Sequence, residues 1–318
     1  RLDGERKVHV MNTVTNNLRH KLASGDKLLS IGTWDVLSAK IIEDLGYHIA
    51  ALQSFQYAAG WGVPDMGIRT PSDLLDLTFR MAGEVSIPIM VDLEEGFGSP
   101  GHAGYWAREF ERAGAAIAHI DDGSGEHTCP WLPGASSRIS RGPVERTEAM
   151  IARMADARQD GLLIAARIAV NPGEDVTAIE EEELERLHRY CNAGADIVFA
   201  PFSIILTNDL DRLRRFVSTI GKPVLIQFNP PGYITNYVPR GSTDQKSIAN
   251  RSFAELFAAG VAIINSPQVY TVAYRAFVEV LQKVKAEGNL EPAGQRMLPF
   301  AEVVRLLGQE RFTPSEVE

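Results

Sequence analysis

Short apolar runs recur eight times along the chain, and each follows a glycine that ends a helix-like stretch. The glycines are Gly25, Gly46, Gly83, Gly114, Gly161, Gly194, Gly221 and Gly260. Glycine is favoured just past a helix end, where the backbone turns left-handed, so this spacing predicts strands that alternate with helices. Eight such units favour a closed (β/α)8 barrel of the TIM type, in which all strands are parallel.

An open dinucleotide-binding sheet is the main alternative fold. It would require a Gly-x-Gly-x-x-Gly turn after the first strand, but the sequence from Ile31 to Asp35 is Ile-Gly-Thr-Trp-Asp. We therefore expect one barrel domain over residues 1–318. It would have an N-terminal helix extension in 1–24, eight βα units in 25–286, and a C-terminal linker and helix in 287–318.

The helix of the eighth unit repeats apolar residues three and four positions apart, which predicts one buried face. These residues are Val269, Val272, Ala273, Ala276, Phe277, Val280, Leu281 and Val284. A further short helix at 299–307 must dock on another surface to bury Phe300 and Leu307.

Three carboxylates follow the third apolar run, in the stretch 87–98 with the sequence Ile-Pro-Ile-Met-Val-Asp-Leu-Glu-Glu-Gly-Phe-Gly. Ionised groups crowded at the end of a buried strand persist by binding a cation, by holding a proton or by facing water. Asp92 and Glu94 are two positions apart, so an extended backbone points both to one side, which suits a hard ion such as Mg²⁺. The stretch alone leaves a metal site and a hydrated acidic loop as alternatives.

Polar residues also follow the other predicted strands, at the end of the barrel where such enzymes perform chemistry. They include Asp35, Gln53, Ser54, Gln56, Asp121, Asp122, Arg167, Gln227, Asn229, Asn265 and Ser266. One arginine among many acids suits a small anionic substrate, because a guanidinium binds a carboxylate through two hydrogen bonds. The alternative role of Arg167 is a structural ion pair with a neighbouring carboxylate.

The connection after the fourth strand, 123–142, is long, rich in Gly, Ser and Pro, and contains His127, Cys129 and Trp131. Loops of this length are typical of lids or disordered segments. A cysteine beside a histidine on such a lid can transfer a proton once the lid closes on the substrate. The alternative is that Cys129 is an ordinary loop thiol.

Composition excludes several functional classes. A net charge of −9 with scattered lysines and arginines disfavours nucleic acid or an anionic membrane as partner. Two cysteines, Cys129 and Cys191, are too few for a disulfide framework. The sequence has no signal-peptide pattern and no apolar run that approaches the roughly 18 residues of a membrane span, so we expect a cytoplasmic protein.

Several of these motifs, taken in order, resemble the isocitrate lyase and phosphoenolpyruvate mutase superfamily. They are the segments 32–46, 62–67 (Gly-Val-Pro-Asp-Met-Gly), 91–98, 120–122 (Ile-Asp-Asp) and 165–167 (Ala-Ala-Arg). The resemblance implies a barrel that depends on Mg²⁺ or Mn²⁺ and acts on a 2-oxo or 2-hydroxy carboxylate, or on a phosphonate analogue, through an enolate held on the metal. It also implies a homo-oligomer, a dimer or tetramer, in which the eighth helix is swapped between subunits.

By the same resemblance, Asp92, Glu94 and Asp121 occupy the positions of the metal-binding acids. Asp65 occupies that of an aspartate just outside the metal ligands, and Arg167 that of the arginine that binds the substrate carboxylate.

The chain departs from the superfamily pattern at several sites. Glu94-Glu95 replaces an Asp-Thr pair, Gln53 to Gln56 replace a Ser-Gly turn, and Pro201 stands where lyases place a glutamate and mutases a histidine. The lid keeps Cys129 but lacks the basic residue before it and the Gly-His after it. These differences argue against an isocitrate or methylisocitrate lyase, and the lack of the mutase lysine and asparagine argues against phosphorus–carbon chemistry.

The sequence therefore predicts a metal-dependent carbon–carbon lyase, or an enzyme that runs the same step as a condensation. Cys129 or His127 would move the proton, and Arg167 would stabilise the enolate. Gln53, Ser54, Gln227 and Asn229 would help to bind a small carboxylate substrate. The alternatives are a phosphonate mutase or hydrolase, and a barrel that has lost catalysis and serves as a binding or assembly protein.

Overall fold

A computed structural model of the chain describes residues 2–129, 132, 140–159, 161–169, 180–227 and 248–312, with the side chains of 2–12 and 249 left out. Two residues named above, Trp131 and Asn229, lie outside the described residues. The predicted role of Asn229 in substrate binding therefore stays a prediction.

The eight predicted strands form a closed parallel barrel in sequence order, which confirms the predicted fold class. The strands are β1 Leu28–Gly32, β2 Ile49–Leu52, β3 Ile89–Asp92, β4 Ala115–Asp121, β5 Leu163–Arg167, β6 Ile197–Phe199, β7 Val224–Gln227 and β8 Ile263–Ser266. The barrel closes between β1 and β8, where Leu28 pairs with Ile263 and Ser30 with Asn265.

Thirteen α-helices are described around and beyond this barrel. They are α1 Leu2–Ala23, α2 Val36–Asp44, α3 Ser54–Gly60, α4 Pro71–Ala82, α5 Pro100–Ala113, α6 Val144–Ala157, α7 Glu180–Ala193, α8 Phe202–Ile205, α9 Leu210–Ile220, α10 Phe253–Ala258, α11 Thr271–Glu287, α12 Glu291–Gly294 and α13 Phe300–Leu307. Short 3-10 helices cover Ile248–Asn250, Pro267–Tyr270 and Gln309–Arg311.

Two apolar layers hold the barrel together. One lies inside it, where Ile49, Met90, Ile117, Leu163 and Leu225 pack together. The other lies between the strands and the surrounding helices. Because successive side chains of a strand point to opposite faces, the residue two positions after an inward apolar residue also points inward. This alternation places the polar ends of β3, β5 and β7 on the inner face of the barrel.

The predicted glycine turns are present. Seven of the eight glycines have positive φ angles, among them Gly114 at 101° and Gly194 at 123°. Gly83 is the exception, with a right-handed φ of −77°.

Asp35, which follows β1, is not a ligand candidate in the structure: its carboxylate caps α2 by accepting from the Ser38 N–H at 2.7 Å.

The C-terminal helices differ from the prediction in their burial. α11 forms as expected, but none of its residues is buried in the single chain, and Val272 and Phe277 are more than half exposed. α13 lies against α2, where Arg305 pairs with Asp44 at 2.7 Å, while Phe300 remains 83% exposed.

Among the described residues, none of the helices has both the length and the apolar character needed to cross a membrane.

Candidate active site

Asp92 ends β3 inside the barrel, and the surrounding backbone and side chains hold its carboxylate tightly. One oxygen, Oδ1, accepts from the Glu94 N–H at 2.8 Å, and Oδ2 accepts from the Ser54 N–H at 3.3 Å and the Ser54 hydroxyl at 3.0 Å. The imidazole Nε2 of His119 lies 2.9 Å from Oδ1. Asp92 is thus an anion with several protein partners of its own.

The electrostatic surroundings keep Asp92 ionised. Burial alone would raise its pKa, but attraction by His119, with smaller contributions from His127 and Arg167, brings the pKa below its usual range. His119 is fully buried and was not among the predicted site residues. Its place in the sequence could have indicated it, because a residue two positions before Asp121 on a strand lies on the same face as Asp121.

Asp121 and Arg167 form the second part of the site. They are paired residues on neighbouring strands, β4 and β5, and Arg167 Nη2 lies 3.4 Å from Asp121 Oδ2. Burial raises the pKa of Asp121 to about 6, against the attraction of Arg167 and His119. Burial would lower the pKa of Arg167, but the charges of Asp121 and Asp92 raise it, so the guanidinium stays charged. The structural ion pair foreseen for Arg167 is present, and Arg167 also lines the central cavity.

Asp122, in contrast, serves the barrel wall and not the site. Its carboxylate accepts from the Ala169 N–H at 2.6 Å and the Tyr190 hydroxyl at 2.9 Å, and pairs with Arg186 at 3.2 Å. The alternation along β4 explains the difference, since Asp121 and Asp122 point to opposite sides.

Glu94 follows β3 in a strained backbone conformation. Its φ of +50° is in the left-handed region, which a residue with a side chain rarely adopts and which is often found at functional sites. The Glu94 carbonyl accepts from the Asp121 N–H at 2.8 Å, which links the β3 loop to the end of β4. Burial raises the pKa of the Glu94 carboxyl to about 8, despite the attraction of His127.

His127 lies between three carboxylates that come from two other loops. Its Nδ1 is 3.1 Å from Glu95 Oε2, and its Nε2 is 3.0 Å from Asp65 Oδ1 and 4.0 Å from Glu94 Oε1. Burial would lower the pKa of the imidazole, but the hydrogen bonds to Asp65 and Glu95 raise it well above its usual value. Without a bound cation, His127 is therefore a buried imidazolium that neutralises part of this acidic cluster.

Cys129 belongs to the same cavity. Its N–H donates to the Asp65 carbonyl at 2.9 Å, and only 5% of the residue is exposed. It lines the cavity together with Asp121 and Arg167. Cys191, in comparison, packs beside the core on α7, as its helical position predicts.

The predicted substrate-binding amides meet on the opposite side of the barrel. Gln53 Nε2 and Asn265 Nδ2 both donate to Gln227 Oε1, the second at 3.0 Å. Gln53 and Gln227 line the central cavity with Ser54 and Gln268. A small cavity adjoins it at Arg167 and Gln227, and Phe199, Phe202 and Ile205 form one part of its wall.

Two of the predicted metal residues lie in one group with His127, and the roles predicted for Asp92 and Asp121 as metal ligands stay predictions. Glu94 and Asp65 group with His127, and one donor atom from each lies within 4.8 Å of the others. Asp92 is occupied by its protein partners, and Asp121 faces Arg167. Carboxylate and imidazole donors suit a divalent cation. The Oδ1 atom of Asp121, buried in the same cavity, has no hydrogen-bond partner among the described residues, which leaves an acceptor for a positively charged group.

A closed (β/α)8 barrel with acids, a buried arginine and a lid thiol at the carboxyl ends of its strands has the architecture of the barrel enzymes. Residues 18–285 match the phosphoenolpyruvate phosphomutase family, and the chain belongs to it. This confirms the resemblance seen in the motifs, to a superfamily of carbon–carbon lyases and mutases.

Three known proteins illustrate the relationship. The 2-methylisocitrate lyase of Shewanella oneidensis is 27% identical over 299 residues, which cover 92% of this chain and 93% of that protein. The 2,3-dimethylmalate lyase of Eubacterium barkeri is 25% identical over 309 residues, or 96% of this chain and 98% of that protein. A crystal structure of phosphonopyruvate hydrolase with oxalate and Mg²⁺ has a TM-score of 0.73 and 23% identity, and covers 94% of this chain and 96% of its own.

Proposed function

We propose that the protein is a metal-dependent carbon–carbon lyase, or an enzyme that runs the same step as a condensation, on a small 2-hydroxy or 2-oxo carboxylate. The observation that carries the proposal is the convergence of Arg167, Cys129, Asp65 and His127 on one cavity, with Glu94 grouped beside Asp65 and His127. Two of the relatives named above are lyases of branched hydroxy acids, which supports this choice within the superfamily.

Arg167 is the residue that binds the substrate carboxylate and stabilises the enolate oxygen produced by bond cleavage. Its charge is fixed, it is largely buried, and its partner Asp121 holds it at the end of β5. A preorganised charge in a water-poor site stabilises a developing oxyanion more strongly than the same charge in water. Gln53, Ser54 and Gln227, which line the same cavity, would orient the second carboxylate or hydroxyl group.

Cys129 is a better candidate for proton transfer than His127. The imidazole of His127 is engaged on both nitrogens by carboxylates, so it has no position left for a substrate proton. Cys129 carries its thiol into the cavity wall beside Arg167, and a general acid must lie within hydrogen-bond reach of the reacting group.

A divalent cation, Mg²⁺ or Mn²⁺, would supply a second positive charge for the substrate oxygens when bound. Asp65, Glu94 and His127 are the residues that would hold it directly, while Asp92 would remain with Ser54 and His119. Asp121 would face both the cation and the substrate from the neighbouring strand.

The small cavity beside Arg167 supports a substrate with a small alkyl substituent. Phe199, Phe202 and Ile205 form the apolar part of its wall, and it meets the central cavity at Gln227. A methyl group on the carbon next to the bound carboxylate would lie against these three side chains.

We also propose that the active form is a homo-oligomer. The apolar residues of α11 follow a helical repeat, yet Val272, Phe277, Val278 and Leu281 are all about half exposed or more. An apolar helix face of this kind is typical of a protein–protein interface. A second copy of this chain is the occupant we assign to it.

The decisive experiment is calorimetry with oxalate, a planar dianion that mimics the pyruvate enolate, in the presence and absence of Mn²⁺. We expect oxalate to bind only with the cation, and Arg167→Gln to weaken oxalate by about two orders of magnitude, the loss of roughly 3 kcal/mol for a charged hydrogen-bond partner. Arg19→Gln, a change on the opposite end of the barrel, serves as the control. Failure of oxalate to bind under any condition would favour a non-catalytic barrel.

A further inference from the structure

We propose that His127 is a direct nitrogen ligand of the cation, in a set completed by Asp65 and Glu94, and that this set prefers first-row transition ions to Mg²⁺. The inference deepens the proposed function and rests on it for the presence of a cation beside these residues. It concerns a histidine two positions before the lid cysteine, where the resemblance supplies no metal ligand.

The donor spacings fit a single ion. His127 Nε2 lies 3.0 Å from Asp65 Oδ1 and 4.0 Å from Glu94 Oε1. Bonds of about 2.1 Å place neighbouring donors of an octahedral ion about 3.0 Å apart and opposite donors about 4.2 Å apart. The observed distances lie within this range, so an ion would need only small side-chain movements to reach all three donors.

The ring of His127 is oriented by Glu95. Histidine ligands of metals donate their second ring N–H to a carboxylate or carbonyl, which fixes the tautomer and aims the other nitrogen at the metal. Glu95 Oε2 lies 3.1 Å from Nδ1 of His127, which leaves Nε2 directed at Asp65 and Glu94. Glu95 itself is seated against Gly123, where a Cβ atom would lie only 2.7 Å from its carboxylate.

Two features outside the three donors support a cation in this cavity. The buried Asp121 Oδ1 lines the cavity with Asp65 and His127 and has no hydrogen-bond partner among the residues that the structure describes, with His119 Nε2 3.8 Å away. Glu94 is held at a left-handed φ of +50°, although it is not a glycine, which turns its side chain toward His127. Such strain persists where the surrounding structure requires it.

The nitrogen donor determines the class of ion. Mg²⁺ binds oxygen ligands almost exclusively, whereas imidazole is a common ligand of first-row transition ions. A set of two carboxylates and one imidazole therefore favours an ion such as Mn²⁺ or Fe²⁺.

The test is pulsed electron paramagnetic resonance on the full chain with one equivalent of Mn²⁺ and no substrate. We expect a ¹⁴N coupling of a directly bound imidazole in the native protein, and its loss in H127Q, in which an amide oxygen stands in place of the nitrogen. E95Q should keep the coupling and weaken Mn²⁺ by about 10-fold, as expected for a residue that orients a ligand. H20Q, at an exposed histidine on α1, is the control and should behave as the native protein.

Calorimetry on the same variants measures selectivity. We expect the native chain to bind Mn²⁺ at least about 10-fold more tightly than Mg²⁺, and H127Q to lose most of that preference, because imidazole contributes little to Mg²⁺ binding. Mn²⁺ that binds without ¹⁴N coupling, or equally well to H127Q, would overturn the assignment. So would the absence of Mn²⁺ binding to the native chain.

The outcome is independent of the test of function. A ¹⁴N coupling without oxalate binding would support His127 as a metal ligand and refute the proposed lyase function. Oxalate binding to a Mn²⁺ site that shows no ¹⁴N coupling would support the lyase function and refute the role of His127.

Discussion

The imidazole Nε2 of His119 lies 2.9 Å from Oδ1 of Asp92, and both side chains are buried in the barrel interior. This contact is a main reason that Asp92 stays ionised there, since burial opposes the charge and His119 is the strongest of the groups that favour it. The pair joins β3 to β4 at the central cavity, which Asp92 lines.

Removal of this contact should destabilise the fold. His119→Phe keeps most of the volume but leaves Asp92 as a buried anion without its nearest cationic partner. Breaking one side of a buried pair costs about 3–5 kcal/mol, and we expect a decrease of this size in the free energy of unfolding by urea. Asp92→Asn in the His119→Phe background should recover part of the loss. If the losses in unfolding free energy caused by the two single substitutions simply add in the double variant, the two residues do not interact.

Cys129→Ser should impair turnover while leaving the site intact. A positioned general acid contributes about 10²–10⁴-fold to a rate, so we expect kcat for the substrate to fall by at least about 10². Oxalate affinity should stay within a factor of about 3, because oxalate needs no proton. Cys191→Ser is the matched control, and native turnover in Cys129→Ser would assign the proton transfer to another residue.

The metal-free protein should lose stability as the pH rises toward 8. The folded-state pKa of Glu94 is about 8, above its ordinary value of 4.5. The stabilisation linked to its protonated form is therefore complete below about pH 4.5 and is lost progressively up to about pH 8. We expect the melting temperature in EDTA to fall between about pH 5 and pH 8, and to fall less in Glu94→Gln. An identical pH profile for both proteins would contradict the assignment.

Phe202→Ala should change substrate preference. Phe202 forms part of the apolar wall of the small cavity beside Arg167, and one methylene against a hydrophobic wall changes kcat/KM by about 10–200-fold. We expect the variant to lose activity on alkyl-substituted acids and to retain it on the unsubstituted acid, measured in parallel. A uniform loss on both substrates would place the alkyl group elsewhere.

Disruption of the α11 face should dissociate the oligomer. Phe277 is 62% exposed in the single chain, so Phe277→Glu introduces a charge into the proposed interface with the second copy. We expect light scattering to detect a smaller species for this variant. Gln282→Glu makes the same charge change at an exposed position of α11, and it should leave the assembly unchanged. A monomeric native protein would refute the proposal.

The barrel itself was determined by the sequence. Its eight strands follow from local features, namely glycines that end helices and short apolar runs that can be buried on both faces. Strand alternation also placed Asp92, Asp121 and Arg167 at the carboxyl ends of β3, β4 and β5. These positions depend only on the period of a strand, which neighbouring sequence fixes.

Only the tertiary structure brought Asp65, Glu94 and His127 together. They lie on three different loops, and the direction of each side chain depends on contacts far away in the sequence, such as that of Glu95 with His127. The left-handed backbone of Glu94 is imposed by the strands around it and has no local signal. The sequence likewise specified α11 as a helix with an apolar face. Whether that face is buried depends on how the folded chain packs, and in the single chain it stays exposed.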